Sequence, residues 1–176
     1  MRLTKLLILI CFLFTTAFAK NEATSSPRYL IEINISACKL WLYELEMDGS
    51  HRLVHEYVVA TAQKGLASIP LGRGTVTGIK FNPTWYPTDY SREYFAKRGI
   101  NLPRVVPPGD PLNFLGVVYI SLSHTTAEGA IYGIHGNNDE SLIGQRVTGG
   151  CIRMHNKEAI ELAKIITIGT KVNIVP

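Results

Sequence analysis

The chain has 176 residues, 46% of them hydrophobic, with 18 Lys+Arg against 14 Asp+Glu. That length makes one core-forming domain rather than a string of them. The basic excess is spread along the chain without a cluster, which argues against a nucleic-acid-binding protein.

Residues 1–19 read as a secretory signal peptide. Arg2 and Lys5 give a positive n-region, Leu6 to Phe14 an apolar h-region, and Ala17-Phe18-Ala19 a small-x-small cleavage site. The apolar run is shorter than the ~20 residues of a spanning helix, and an uncleaved N-terminal anchor is the competing reading. Ile10 stands before Cys11, where lipid attachment needs a small residue. Cleavage would place the mature N-terminus at Lys20 and remove Arg2 and Lys5, leaving 16 basic against 14 acidic residues, a net of +2. Residues 20–28 read as a short linker, and 29–176 as a single domain.

Most of that domain reads as strand. "YLIEINI" (29–35) alternates, with Tyr29, Ile31, Ile33 and Ile35 on one face. "KLWLYEL" (39–45) and "RLVHEYVVAT" (52–61) follow, with the hairpin signal Asp48-Gly49 between them. "GTVTGI", "GVVYISL", "AIYGIH" and "KVNIVP" are further short strands punctuated by glycine. Between Phe81 and Pro111 the pattern breaks into six prolines with Trp85, Tyr86, Tyr90, Tyr94 and Phe95. A stretch this long inside a compact domain is usually functional or disordered, and its aromatics argue against disorder. It is expected to wall a binding site, with a short helix at "SREYFAKRG" and with Trp85 or Tyr86 close to Cys151. An inert surface excursion is the competing reading. One segment reads clearly as helix, "NKEAIELAKII" from Asn156, with Asn156 as N-cap, Glu158 in the first turn and Gly169 as the stop. Its stripe of Ala159, Leu162, Ala163 and Ile166 suits core packing. The expected fold is mainly β (α+β), a β-sandwich-like arrangement of mixed sheets with one main helix after the last cysteine.

The chemistry concentrates in "IYGIHGNNDESLIGQRVTGGCIRMHN", residues 131–156. A free thiol has a pKa of about 8.5 and is a weak nucleophile until deprotonated; a nearby imidazole can take its proton. His135 ends a strand-like run, so a rigid element can aim it. Cys151 follows Thr148-Gly149-Gly150, where glycines admit close backbone approach and N–H groups can hold a developing oxyanion. His51, His55, His124 and His155 read as surface or strand residues. Zinc held by Cys151, His155 and His135 stays open, although paired Cys/His spacing is missing. A Cys38–Cys151 disulfide also stays open, since an exported protein meets oxidising conditions.

At these residues the sequence resembles the catalytic domain of the L,D-transpeptidases, bacterial enzymes that cross-link peptidoglycan. That family's signature is His-Gly, a short loop, then Ser/Thr-x-Gly-Cys followed by an aliphatic residue, Arg and an apolar residue. Here the elements are His135-Gly136 and Thr148-Gly149-Gly150-Cys151-Ile152-Arg153-Met154. "IPLGRGTVTG" (69–78), "NPTWYP" (82–87), "VVPPGDPLNFLG" (105–116) and "IGTKVNIV" (168–175) extend the likeness over essentially the whole chain after Leu30. Ile69, Phe114, Asn137 and Gly149 depart from the usual Thr, Pro, Thr and His.

The resemblance implies a β-rich sandwich and a two-step acyl transfer without cofactor or metal. Cys151 would be the nucleophile, His135 the general acid and base, and the Gly136 carbonyl the group that orients its ring. Gly150 and Cys151 N–H groups would form the oxyanion hole, with Thr148, Gly149, Arg153 and Tyr132 around the substrate; for Arg153, contact with a substrate carboxylate, bracing of the loop and a structural salt bridge all stay open. The partners implied are peptidoglycan stem peptides, as donor and acceptor. There would be no nucleic acid and no stable membrane insertion after signal cleavage, and the protein would be a monomer. It would be exported to the periplasm or cell envelope, act in cell-wall organisation and cell shape, and be a carbapenem target. A carboxypeptidase or endopeptidase of the same fold, and a non-catalytic disulfide-bonded wall-binding module, are the alternatives.

Overall fold

The structure, a computed structural model, describes residues 28–66, 69–126 and 129–176; the expected signal peptide lies outside them. No helix among the described residues is long and apolar enough to cross a membrane.

Alternating sequence makes the first strands. In β1 (Tyr29–Asn34) and β2 (Lys39–Leu45), Ile31, Ile33, Leu40 and Leu42 point inward and are fully buried. The turn between them carries Cys38 at φ +53°, its thiol buried beside the Ile35 carbonyl (3.8 Å) and the Thr61 hydroxyl (3.5 Å). Cys38 and Cys151 are both free thiols, so the disulfide-bonded reading falls. β3 (His51–Val58) pairs antiparallel with β2 after the expected Asp48-Gly49 turn, in which Gly49 sits at φ +85° and the Ser50 N–H donates to the Asp48 carboxylate.

The run expected as one strand over 52–61 divides. After Val58 the chain leaves the sheet edge, Ala60 bridges to Arg153, and β4 (Thr61–Ala62) pairs with β8 (Arg146–Thr148). Leu53, His55 and Val58 are exposed while Val59 to Ala62 are buried, so the two halves serve different surroundings.

The long strand β5 (Gly72–Phe81) joins the two halves of the fold. Its first residues pair with β10 (Lys171–Val175), and Val76 to Phe81 pair with β6 (Val118–Thr125), with a register shift between Val76 and Gly78. β7 (Ile131–His135) and β9 (Ile152–Arg153) complete one eight-stranded mixed sheet in the order β3-β2-β1-β10-β5-β6-β7-β9. The apolar faces of both halves form one core, with Ile31, Ile33, Val172 and Ile174 from one half and Ile120, Leu122, Ile134 and Ile152 from the other. The sandwich-like, mostly β architecture is as expected. Its main helix, α2 (Asn156–Ile165), follows β9 and buries Ala159, Leu162 and Ala163 against β6 and β7.

The helix boundaries differ from expectation. His155, not Asn156, is the N-cap residue, and the helix ends before Ile166; Gly169 instead makes the turn into β10 at φ +91°. The shorter helix α1 (Asp89–Ala96) sits in the proline-rich segment, its N-cap Thr88 accepting the Ser91 N–H at 3.1 Å.

Candidate active site

Strand register gathers the site. His135 of β7 pairs with Tyr119 of β6 on one side and with Arg153 of β9 on the other. One residue later on β6 and one earlier on β7 and β9, Ile120, Ile134 and Ile152 form a neighbouring row pointing the opposite way, all fully buried in the core. The two-residue period therefore puts Tyr119, Gly133, His135, Cys151 and Arg153 on the face away from the core. Tyr119 stacks on the His135 ring at 6.1 Å between centroids, and its hydroxyl donates to the Ile131 carbonyl at 3.1 Å. It also lies against Gly133, where a Cβ would come within 2.5 Å of the phenol ring.

The protonation state of His135 follows from its neighbours. Its Nδ1 lies 2.7 Å from the Gly136 carbonyl oxygen. A carbonyl only accepts, so Nδ1 carries the hydrogen. Burial, with the Arg153 charge adding to it, pushes the imidazole pKa down to about 3. The ring is therefore neutral near pH 7 and Nε2 is an unprotonated base. Burial also pushes the Cys151 thiol up, against smaller opposing effects from the Gly133 N–H and the Arg153 charge. Arg153 is half-buried, its Nε finds no hydrogen-bond partner, and burial lowers its pKa. A neutral base, a protonated thiol and a cation share one face.

Short bonds hold the cysteine loop. The Thr148 hydroxyl donates to the Cys151 carbonyl at 2.7 Å and accepts the Gly150 N–H at 3.1 Å. Gly150 has φ +125°, and a Cβ there would lie 2.1 Å from the Tyr132 ring, so this position admits only glycine. Tyr132 stands on the β7 face opposite His135, beneath the loop. Main-chain bonds between Arg153 and Ala60 (3.0 and 2.8 Å), and from the Met154 N–H to the His135 carbonyl (2.9 Å), tie the next residues to β7 and to the chain entering β4. On the other flank, Asn156 Oδ1 accepts the Val117 and Asn137 N–H groups at 3.2 and 3.1 Å, and its Nδ2 donates to the Asn137 carbonyl at 2.8 Å. Its side chain thus joins the loop after His135 to the loop before β6. A Cβ on Gly136 or Gly116 would reach within 2.3 Å of Asn156 Oδ1, so both glycines belong to this brace.

The proline- and aromatic-rich segment is packed and touches the loop. Phe95 stacks on Phe114 at 4.3 Å, and Trp85 meets both rings edge-on. Trp85 is thus an internal anchor, and Tyr86 is 67% exposed. At the cysteine loop itself, the ring edge of Tyr90 lies against Gly149. Phe114, the departure from proline, is part of the aromatic anchor.

Of the residues expected at the site, His135, Gly136, Thr148, Gly149, Gly150, Cys151 and Arg153 come together and Tyr132 lies beneath them. Tyr119, Tyr90, Asn156 and Ala60 were not foreseen. The alternation of "VYISL" places Tyr119 opposite the buried isoleucines, which was a usable signal; the other three depend on chain crossings that no local pattern records.

A thiol, a neutral imidazole and a cation on one sheet face are groups whose chemistry suits acyl transfer. The L,D-transpeptidase catalytic domain (YkuD) matches residues 28–174, and the chain belongs to this family. It is 37% identical over 151 residues to a probable L,D-transpeptidase, YcfS, of Escherichia coli, covering 85% of this chain and 45% of that protein. It is 42% identical over 129 residues to a putative L,D-transpeptidase, YqjB, of Bacillus subtilis, covering 73% and 64%. The chain thus spans less than two thirds of either relative. Among solved structures, the LD transpeptidase LdtMt1 in complex with imipenem shares the fold, with a TM-score of 0.56 and 14% identity over 85% of this chain and 59% of that one.

Proposed function

We propose that this protein is a cysteine L,D-transpeptidase acting on peptidoglycan stem peptides in the cell envelope. The observation that carries the reading is the neutral His135, its Nδ1–H directed to the Gly136 carbonyl and its bare Nε2 on the face that holds Cys151. Such an imidazole accepts the thiol proton as the sulfur attacks.

The donor is a tetrapeptide stem. Cys151 Sγ attacks the carbonyl before the terminal D-alanine while its proton passes to His135 Nε2. The carbon–nitrogen bond breaks, the proton moves to the departing amine, and D-alanine leaves a thioester on Cys151. An amine of a second stem then attacks, gives its proton to His135, and releases the thiol with a new amide. No external energy source is needed, because one amide replaces another. The developing oxyanion is received at the Gly150–Cys151 backbone. The Gly150 N–H is held by Thr148 in the resting state, so it exchanges that bond for the oxyanion. The Arg153 guanidinium favours the thiolate and can meet a substrate carboxylate.

The test is incubation of the protein with disaccharide-tetrapeptide, with products identified by mass. A cross-linked dimer with one D-alanine released is expected. A trimmed tripeptide alone would assign water as the acceptor, and an unchanged substrate would sink the reading. A carbapenem should add one adduct mass on Cys151 and none to Cys151→Ala.

A further inference from the structure

Gly149 and Gly150 are glycines for different reasons. Gly150 needs one for its backbone angle, φ +125°. Gly149 is not among the positive-φ positions, so its backbone alone would accept any residue. What a side chain there would meet is Tyr90, whose ring would have to give by a few tenths of an ångström. A Cβ at 149 would sit 3.1 Å from Tyr90 Cε1, with Cζ and Cδ1 at 3.8 and 3.9 Å. The ring edge borders the space that a side chain at 149 would take, two residues from the thiol.

The ring is also held in place. Tyr90 stacks on Tyr94 at 6.3 Å with 28° between planes. Tyr94 carries the Arg98 guanidinium 3.6 Å from its centroid and meets Phe95 edge-on at 5.4 Å. Phe95 is anchored on Phe114 and Trp85. The insertion's aromatic core therefore sets where Tyr90 lies, yet Tyr90 itself remains 53% exposed beside the cysteine loop. An anchored ring with an open face next to a nucleophile is a contact surface for whatever approaches it.

We propose that Tyr90 is a specificity-determining residue, its ring standing in for a side chain at 149 as the wall against which the donor peptide lies on its way to Cys151. The donor's identity as a stem peptide rests on the transpeptidase reading; the wall itself rests on the packing of Tyr90 on Gly149. The ring offers apolar surface to the donor chain, so it acts on donor binding and not on the reactivity of the sulfur.

The test is a double-mutant cycle on Tyr90→Ala and Gly149→Ala, read as D-alanine release from the tetrapeptide. Tyr90→Ala should raise the donor KM about tenfold with kcat little changed, the pattern of a lost binding contact. Gly149→Ala should raise KM by displacing the ring. The double variant should be no worse than Tyr90→Ala alone, because the two changes disrupt one feature. Tyr90→Phe should recover most of the KM, and Tyr86→Ala should match the unmodified protein. Cys151 labelling provides a second readout. Iodoacetamide should react equally with all variants, whereas a peptidyl chloromethyl ketone should react more slowly with Tyr90→Ala. Multiplicative effects of the two single changes, or an equal loss with iodoacetamide, would overturn the wall. A protein that fails to release D-alanine but still shows the labelling contrast would overturn the transpeptidase reading and keep the wall.

Discussion

Thr148 does with one hydroxyl what a longer loop would need several groups to do. It accepts the Gly150 N–H and donates to the Cys151 carbonyl, closing the turn that presents the thiol. Both partners are backbone groups, so Thr148→Val keeps the shape and orphans two polar atoms. Each net hydrogen bond is worth roughly 0.5–1.5 kcal/mol, more where a buried group is left unpaired. Thr148→Val should therefore lower stability by about 2 kcal/mol in urea denaturation and slow D-alanine release, since the carbonyl of Cys151 is no longer held. The two cysteines should separate in the same assays. Cys151→Ala should abolish turnover while the domain stays folded. Cys38→Ser should leave turnover intact and cost stability at most, because Cys38 lies in the β1–β2 turn with its buried thiol against the Ile35 carbonyl and the Thr61 hydroxyl. Full cross-linking by Cys151→Ala would refute the assignment of the nucleophile. The thiol should also titrate late. Burial raises it, so the iodoacetamide labelling rate should reach half its plateau above the free-thiol value of about 8.5.

At the scale of elements, the first turn of α2 joins fold to site. The helix's own apolar stripe was legible, because Ala159, Leu162 and Ala163 recur at helical spacing and are buried as that spacing requires. The use of Asn156 was not. An asparagine before an apolar run reads as a cap, yet here its amide turns away from its own helix to satisfy two N–H groups and one carbonyl on two other loops. Tertiary demand overrides the local rule where buried backbone groups have no sheet partner. The same holds for β8 and β9, three and two residues long, which are strands only because β4 and β7 run beside them. Replacing Asn156 tests the brace. Asn156→Ala loses all three bonds and should cost about 3 kcal/mol. Asn156→Asp keeps both acceptor bonds, loses the donor to the Asn137 carbonyl, and should recover part of that. Equal melting temperatures for Asn156→Ala and the unmodified protein would show that the brace carries no stability.

For the whole molecule, the inner-facing alternation of the outer strands and the helix after the cysteine were readable, because burial alone fixes their period. The bend of β5 between two partners was not, since both halves of "GRGTVTGIKF" satisfy the same local pattern. That bend, together with the crossover at Ala60, lets one core support a polar row on its outer face. The consequence is a dependence of global stability on acid. His135 is buried within the polar row and neutral, with its pKa pushed down to about 3, while an imidazole in the unfolded chain titrates near 6.5. The unfolded state therefore binds the proton first. His135 contributes stability that is fully present above pH ~6.5 and is lost as the pH falls from there towards 3, with a slope of up to about 1.4 kcal/mol per pH unit. Glu158 works in the opposite sense. Its carboxyl is raised by burial and one oxygen lacks a partner, so its protonation relieves the folded state as the pH falls. The net loss on acidification is thus smaller than His135 alone would give. Urea midpoints measured from pH 7.5 to 4 should fall in the unmodified protein. They should fall less steeply in His135→Gln, which has no proton to gain, and more steeply in Glu158→Gln, which loses the compensating group. Parallel profiles for all three proteins would mean that neither side chain sets the acid limb of stability.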